Sequence, residues 1–369
     1  MMVEALARRQ RILVEAPVSV DPLPGQIRPT GAADNLLADW RARALALEQA
    51  VSKAIIGQPD VIRLLSVAIF ARGHVLLEGD VGVGKTTILR AFARGLGGAF
   101  ERMEGSVDMM PNDLLYYAYI GEDGRPRIEP GPLLRPGEAL STFFFNEINR
   151  ARPQVQSLLL RAMAERSVNA FNREHRFPHM LVFADRNRVE KEETFELPSA
   201  ARDRFMLEVQ IETPADESVR TALVFDPAYH DVDLLLQSVP EAILPYAELN
   251  TVAAVIQREV HASEALQRYA LALWQATRTP EQLGIHLEGV DMRRLILAGA
   301  SPRAMSMLLR AARVMAWLRN RDYLAPEDLQ AVFLESIGHR VFFTPVYEMR
   351  RTEIARPFLR EVLARIAAP

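Results

Sequence analysis

Cysteine is absent from the chain, which removes disulfides, thiolate metal sites and cysteine nucleophiles together. No apolar run approaches the ~18 residues of a membrane-spanning helix, and segments such as Ala139 to Phe145 are of strand length. No hydrophobic stretch of the secretory kind opens the sequence. An excess of one charge is also missing. Lys and Arg number 44 against 47 Asp and Glu, a net charge of −3, which argues against a generally basic nucleic-acid surface. What remains is an ordinary globular composition, 49% hydrophobic and 25% charged. At 369 residues the chain is long enough for about two domains with a core that needs no covalent staple. A soluble cytoplasmic protein is expected, with no membrane span and no nucleic-acid partner.

Residues 1–34 read as an N-terminal arm and linker. Leu6, Ile12 and Leu13 lie among arginines, and Pro17, Pro22, Pro24 and Pro29 then interrupt regular structure. Glu4 and Glu15 weigh against a targeting presequence, so an arm that meets a partner or an interface is the better reading. Asp34 can cap a helix carrying Leu36, Leu37, Trp40, Leu45, Leu47 and Val51, and a second helix starts at Gln58-Pro59. The period then changes. Strand-sized apolar segments at His74–Glu78, Phe100–Met103, Thr142–Phe145, Met180–Ala184 and Phe205–Ile211 alternate with helical ones. That alternation predicts an α/β fold, a parallel sheet covered by helices, over residues 35–213. No strand is expected beyond Pro214, so residues 214–369 read as an all-helical second domain.

The strongest signal is Gly79-Asp80-Val81-Gly82-Val83-Gly84-Lys85-Thr86, followed by Thr87, between a strand and an amphipathic helix. This is the phosphate-binding loop pattern in the context it requires. Its glycines let successive backbone N–H groups turn inward as an anion nest at a helix N-terminus. Lys85 can neutralise β- and γ-phosphate oxygens, and the Thr86 hydroxyl can ligate Mg²⁺. Nucleotide triphosphate with magnesium is the expected ligand.

Such a site needs polar residues at the end of a neighbouring strand, and Thr142–Phe145 ends in Asn146-Glu147. Glu147 is the candidate to polarise the attacking water. Asn146 is anomalous, because an amide oxygen lacks the formal charge that a hard cation favours. Slow or conditional hydrolysis is the corresponding expectation.

Beyond the phosphate loop, the chain resembles the MoxR family of AAA+ ATPases, in the helix-2-insert branch. The strings that carry the likeness are Glu147-Ile148-Asn149-Arg150-Ala151, Pro198-Ser199-Ala200-Ala201-Arg202-Asp203-Arg204-Phe205, Gly299-Ala300-Ser301-Pro302-Arg303-Ala304, Tyr323-Leu324-Ala325-Pro326-Glu327-Asp328 and His339-Arg340. The resemblance implies a P-loop α/β domain with a helical lid, assembled as a ring, usually hexameric, with ATP at subunit boundaries. It places Asn187 as the sensor asparagine, with Asp185 a second candidate, and Arg204 as the arginine finger donated to the neighbouring subunit, with Arg202 competing for that role. Arg303 has an independent physical case. Ser301 and Pro302 suit a helix start, where a cation opposes the helix dipole unless an anion such as a γ-phosphate is near.

Tyr116 to Pro132 reads as a hairpin with a tight Asp123-Gly124 turn, at the place of the family's helix-2 insert, and Ser167–Phe177 as a second hairpin. His175 and His179 are not read as a metal pair, because Pro178 breaks their helical spacing. Met305, Leu308, Leu309, Ala312, Met315 and Ala316 read as lid core. By resemblance the function is chaperone-like remodelling or maturation of a client, including metal or cofactor insertion, with a von Willebrand factor A-domain partner. Two alternatives stand beside it: a nucleotide-locked ring scaffold that hydrolyses weakly because of Asn146, and a DNA-acting AAA+ protein.

Overall fold

In a computed structural model of the chain, residues 30–187 and 194–369 are described. The expected arm and linker lie outside the described residues apart from 30–34. Helices α1 (Thr30–Ala54) and α2 (Pro59–Phe70) precede β1 (His74–Glu78), α3 (Lys85–Leu96), β2 (Ala99–Glu104) and α4 (Pro111–Leu115). A hairpin of β3 (Tyr116–Ile120) and β4 (Pro126–Pro130) leads to β5 (Leu140–Asn146) and α5 (Pro153–Glu165). A second hairpin, β6 (Ser167–Ala170) with β7 (Arg173–Arg176), leads to β8 (Leu181–Arg186), α6 (Ser199–Arg202) and β9 (Phe205–Gln210).

Five strands form one sheet in the order β2-β5-β8-β1-β9, with parallel pairings throughout. Every residue of β1 and β5 is buried, as a sheet covered on both faces demands. Alternate side chains feed two cores. Val75, Leu77, Phe144, Phe183, Leu207 and Val209 pack with α1, α2, α3 and the C-terminal helices. Leu76, Phe143, Phe145, Val182 and Ala184 pack with α4 and α5.

The rest is mainly helical: α7 (Glu217–Phe225), α8 (Val232–Gln237), α9 (Leu249–Glu259), α10 (Glu264–Arg278), α11 (Met292–Leu295), α12 (Pro302–Leu318), α13 (Pro326–Ile337), α14 (Pro345–Glu348) and α15 (Arg351–Arg365). The stripe Met305, Leu308, Ala312, Met315 and Ala316 is buried in the first core, with Leu309 packed against it. No helix among the described residues is long and apolar enough to cross a membrane.

Three local expectations are revised. α1 starts at Thr30, ahead of Asp34, because Ala32 and Ala33 are strong helix formers and extend the turn past the nominal cap. The C-terminal region carries a short antiparallel ladder, β10 (Ile296–Ala298) with β11 (Phe342–Phe343), too short to leave a period-2 pattern. The loop of the first hairpin is wider than a two-residue turn: Gly121 N–H donates to Arg125 O at 2.9 Å, and Gly124 alone takes the left-handed conformation.

The C-terminal helices are anchored at the N-terminal edge of the sheet. The Arg310 guanidinium donates to Ala71 O at 2.5 Å, Trp317 Nε1 to Leu37 O at 3.1 Å, and Arg340 to Phe205 O and Met206 O. His74 is buried at the same edge. Its Nδ1 accepts the Val182 N–H at 2.9 Å, and its Nε2 faces Met163 O at 3.3 Å.

Burial, reinforced by Arg166, Arg72 and Arg310, lowers the pKa of His74 to about 3. Between that value and the ordinary ~6.5 the unfolded chain binds the proton and the native protein does not, so stability rises with pH through this window. Urea titrations at pH 7 and pH 5 should show a loss of about 2 kcal/mol from this group at the lower pH. His74→Asn, which keeps an acceptor for Val182, should flatten the dependence; an unchanged slope would refute the assignment.

Candidate functional site

The loop after β1 curls because glycine occupies the positions where other residues are excluded. Gly82 and Gly84 have φ of +84° and +88°, a left-handed backbone that costs a β-carbon about 1 kcal/mol or more. At Gly79 the constraint is space: a β-carbon would meet Ile211 O. α3 then begins at Lys85 with no side chain capping it and no acidic residue in its first turn. Its leading N–H groups and the positive end of its dipole are therefore presented by the loop, as an anion site requires.

The Lys85 ammonium is buried and donates to Gly79 O at 2.7 Å and Asn187 Oδ1 at 2.5 Å, with Asp80 O at 3.4 Å and Asp185 Oδ2 at 3.3 Å. Asp80, Val81, Val83, Thr86 and Thr87 complete the loop and the first helical turn. Thr86 and Thr87 line an open cavity of about 700 Å³ together with Arg90, Arg102, His230 and Asp233.

Sheet order brings the strand ends to this point. β5 and β8 lie beside β1 on the same side, so Asn146-Glu147 and Asp185-Arg186-Asn187 emerge together. Glu147 adopts a left-handed φ of +54°, held by its own N–H donating to Asp185 Oδ1 at 2.5 Å. Its carboxylate accepts from Asn187 Nδ2 at 2.9 Å and from Arg150 Nη1 at 3.1 Å. Asn187 thus bridges the loop lysine and the strand-end carboxylate. Both sensor candidates lie at the site, with different work: Asp185, 1% exposed, braces Lys85 and the Glu147 backbone, while Asn187 touches both functional side chains. Burial raises the Asp185 pKa, opposed by the Glu147 N–H and by Lys85.

The arginines fall elsewhere. β9 pairs with β1 in parallel from His74↔Phe205 to Glu78↔Gln210, so Arg204 lies at the opposite end of the sheet from the loop, about 16 Å away along the strand. Its Nη1 donates to Ala200 O at 2.6 Å. Arg202 is committed within its own chain, 3.5 Å from Glu348 and stacked on Phe342 at 5.4 Å, and burial lowers its pKa. Ser301 caps α12 as expected, accepting the Ala304 N–H at 3.0 Å. In the single chain the anion that meets Arg303 is the Asp203 carboxylate at 3.1 Å. Lys85 and Arg303 belong to opposite ends of the sheet.

Two features were not read from the sequence. Arg150 pairs with Glu147 at spacing i,i+3, a spacing visible in the string itself. Half-buried Ile55 and Ile56 precede Gly57, whose β-carbon would strike Pro214 and Val219. Gln58 Nε2 donates to Glu212 O at 2.6 Å, so this turn depends on contacts over 150 residues apart in sequence, which no local pattern announces. His179 stacks edge-on against Tyr246, and no cluster of three metal-ligating side chains occurs among the described residues.

Comparison with known proteins gives a consistent picture. Residues 74–207 match the ATPase family associated with various cellular activities, and residues 292–357 match the AAA lid domain. The chain is 60% identical to Protein MoxR of Methylorubrum extorquens over 91% of its own length and 98% of the relative's. It is 53% identical to Protein MoxR of Paracoccus denitrificans, covering 91% and 99%. Chaperone MoxR1 of Mycobacterium tuberculosis is 33% identical over 94% and 87%. A crystal structure of a candidate ATPase from Cytophaga hutchinsonii superposes with a TM-score of 0.77 at 29% identity, covering 91% of this chain and 98% of that one.

The two arginines near β9 should separate in stability. Arg202→Ala removes a buried guanidinium and should cost about 2 kcal/mol in urea titration. Arg204→Ala should cost less than about 0.5 kcal/mol. Equal losses would contradict the distinction between an arginine committed to Glu348 and Phe342 and one held by Ala200 O.

Proposed function

The chain belongs to the MoxR family of AAA+ ATPases, and from that premise we propose that it binds ATP with Mg²⁺ at the loop 79–86 and hydrolyses it across a subunit boundary. The observation that carries this reading is the division of charged groups between the two ends of one sheet. Lys85, Asn187 and Glu147 converge at the carboxyl end of the strands, whereas Arg204 and Arg303 stand at the amino end. Neither arginine can reach the phosphates bound by its own chain. A neighbouring copy can present both.

The loop amides and Lys85 would bind the β- and γ-phosphates. The donor set for magnesium is all oxygen, as the ion prefers: the Thr86 hydroxyl and the Asn146 amide would hold it, and when bound it neutralises charge building between the phosphates. Glu147 orients and polarises water, and Asn187 fixes its carboxylate relative to Lys85. Arg204 from the next subunit stabilises charge on the transferring phosphoryl group.

Around this site we assign an arm at 1–34, the nucleotide-binding domain at 35–213 and a lid at 214–369, assembled as a hexameric ring in the cytoplasm. Its work is chaperone-like remodelling of a client, including metal or cofactor insertion, together with a von Willebrand factor A-domain partner. A relative named a chaperone supports the first part. A client surface is supported by the first hairpin, where Ala118 pairs with Ile128 on the same face as Ile120. Ile120 and Ile128 are 73% and 57% exposed, an apolar face of the kind that marks an interaction site.

The test uses two variants. Lys85→Ala and Arg204→Ala should each lose about 10³-fold in ATP turnover when assembled alone. Mixing them should restore turnover, since a Lys85→Ala subunit donates Arg204 to a neighbour whose loop is intact. A mixture that co-assembles yet stays inactive would overturn the shared site.

A further inference from the structure

Asn146 leaves the strand end one negative charge short of what a hard divalent cation favours, and the sheet offers that charge one strand away. β2 is the edge strand and pairs with β5 in a parallel register that sets Glu104 directly beside Asn146. Laterally paired residues project to the same face of a sheet, and neighbouring strands are about 4.8 Å apart. The face is fixed by two neighbours. Asn146 shares its side with Phe144, in the core that α3 covers. Glu104 shares its side with Arg102, whose guanidinium lies 5.9 Å from the Phe144 ring and lines the same cavity as Thr86 and Thr87. Glu104 therefore stands on the α3 side, one pleat nearer the strand end than Arg102.

The junction is tight. Gly105 N–H donates to Asn146 O at 2.8 Å, and a β-carbon at Gly105 would come within 2.3 Å of Glu147 O, so only glycine lets the end of β2 approach the 146–147 peptide this closely. The Glu104 carboxylate pairs with Arg102 at 3.3 Å, and the two side chains are 64% and 42% exposed. Such a pair is worth little and is readily exchanged for another partner.

We propose that Glu104 supplies, from the neighbouring strand, the carboxylate that Asn146 lacks, and that it does so by holding a water of the hydrated Mg²⁺. This rests on the ATP–magnesium reading above. Magnesium gives up its waters reluctantly, so a carboxylate placed beside the amide that would hold the ion acts through one of them. Glu104 is then a positioning residue for the metal, and Asn146 is no sign of a weakened enzyme. The pair places one charge on β2 where a single strand end would otherwise carry it.

The full-length protein, a fluorescent ATP analogue and Mn²⁺ as a paramagnetic probe test this directly. Glu104→Gln should bind the analogue normally in EDTA but need about tenfold more Mg²⁺ for its metal-dependent gain in affinity, with a matching loss in Mn²⁺ affinity by electron paramagnetic resonance. Moving the charge, in Glu104→Gln combined with Asn146→Asp, should recover most of the lost metal affinity. Unchanged Mn²⁺ affinity in Glu104→Gln would overturn the inference, and so would failure of the relocated carboxylate to restore it. Analogue binding lost equally in EDTA would also overturn it, since the role would then concern the nucleotide or the fold. A wild-type protein that takes up no analogue in either condition would instead overturn the ATP site itself.

Discussion

A buried ammonium must be surrounded by oxygen, and the site is organised around how Lys85 meets that demand. Its four oxygen neighbours come from the loop and from the end of β8: Gly79 O, Asp80 O, Asp185 Oδ2 and Asn187 Oδ1. Desolvating a lone cation would cost several kcal/mol, so the loop cannot relax without losing these partners. Asp185 and Asn187 also bind Glu147, one through the backbone and one through the side chain. One buried charge thus ties the loop to the Glu147 carboxylate.

Strand direction imposes the second constraint. A parallel sheet collects its carboxyl ends on one edge, which is why β1, β5 and β8 can deliver a loop, a carboxylate and an amide to one place. The same geometry removes β9's leading residues to the far edge. Asp203, Arg204 and, through Asp203, Arg303 are stranded there by the register between His74 and Phe205. The charge that the loop needs and the charge that the loop cannot reach are consequences of one topology.

What was legible in the sequence follows from range. Gly79 through Thr86 carries its own context, and the strands show as buried apolar runs, so the α/β sheet and the loop could be read locally. Glu147 was visible as the polar end of such a run. Asn187 came from resemblance, and its bridge between Lys85 and Glu147 depends on residues 102 and 40 positions away. The helix-start argument at Arg303 called for an anion, and the one within the chain is Asp203, 100 positions earlier, beyond the reach of any local pattern. Glu104 could not be singled out at all, because its meaning lies in lateral register with Asn146, and register is a property of the folded sheet. The β10–β11 ladder was missed because two or three residues carry no period.

The anchoring of the C-terminal helices bears on the far edge in turn. Arg340 is buried, its pKa lowered to about 10 chiefly by burial, so it remains charged at neutral pH and must keep its acceptors. These are Asp203 O, Phe205 O and Met206 O, with Ser336 O from the preceding helix α13, and His339 Nε2 also faces Phe205 O at 2.8 Å. Hydrogen bonds to a charged group are worth about 1.5–3 kcal/mol each, and Arg340 makes three of them to residues 203–206. The segment 203–206 is therefore held to the residues behind it by several such bonds. Any displacement of Arg340 against the sheet must carry that segment along, and Arg204, the guanidinium of the proposed shared site, travels with it.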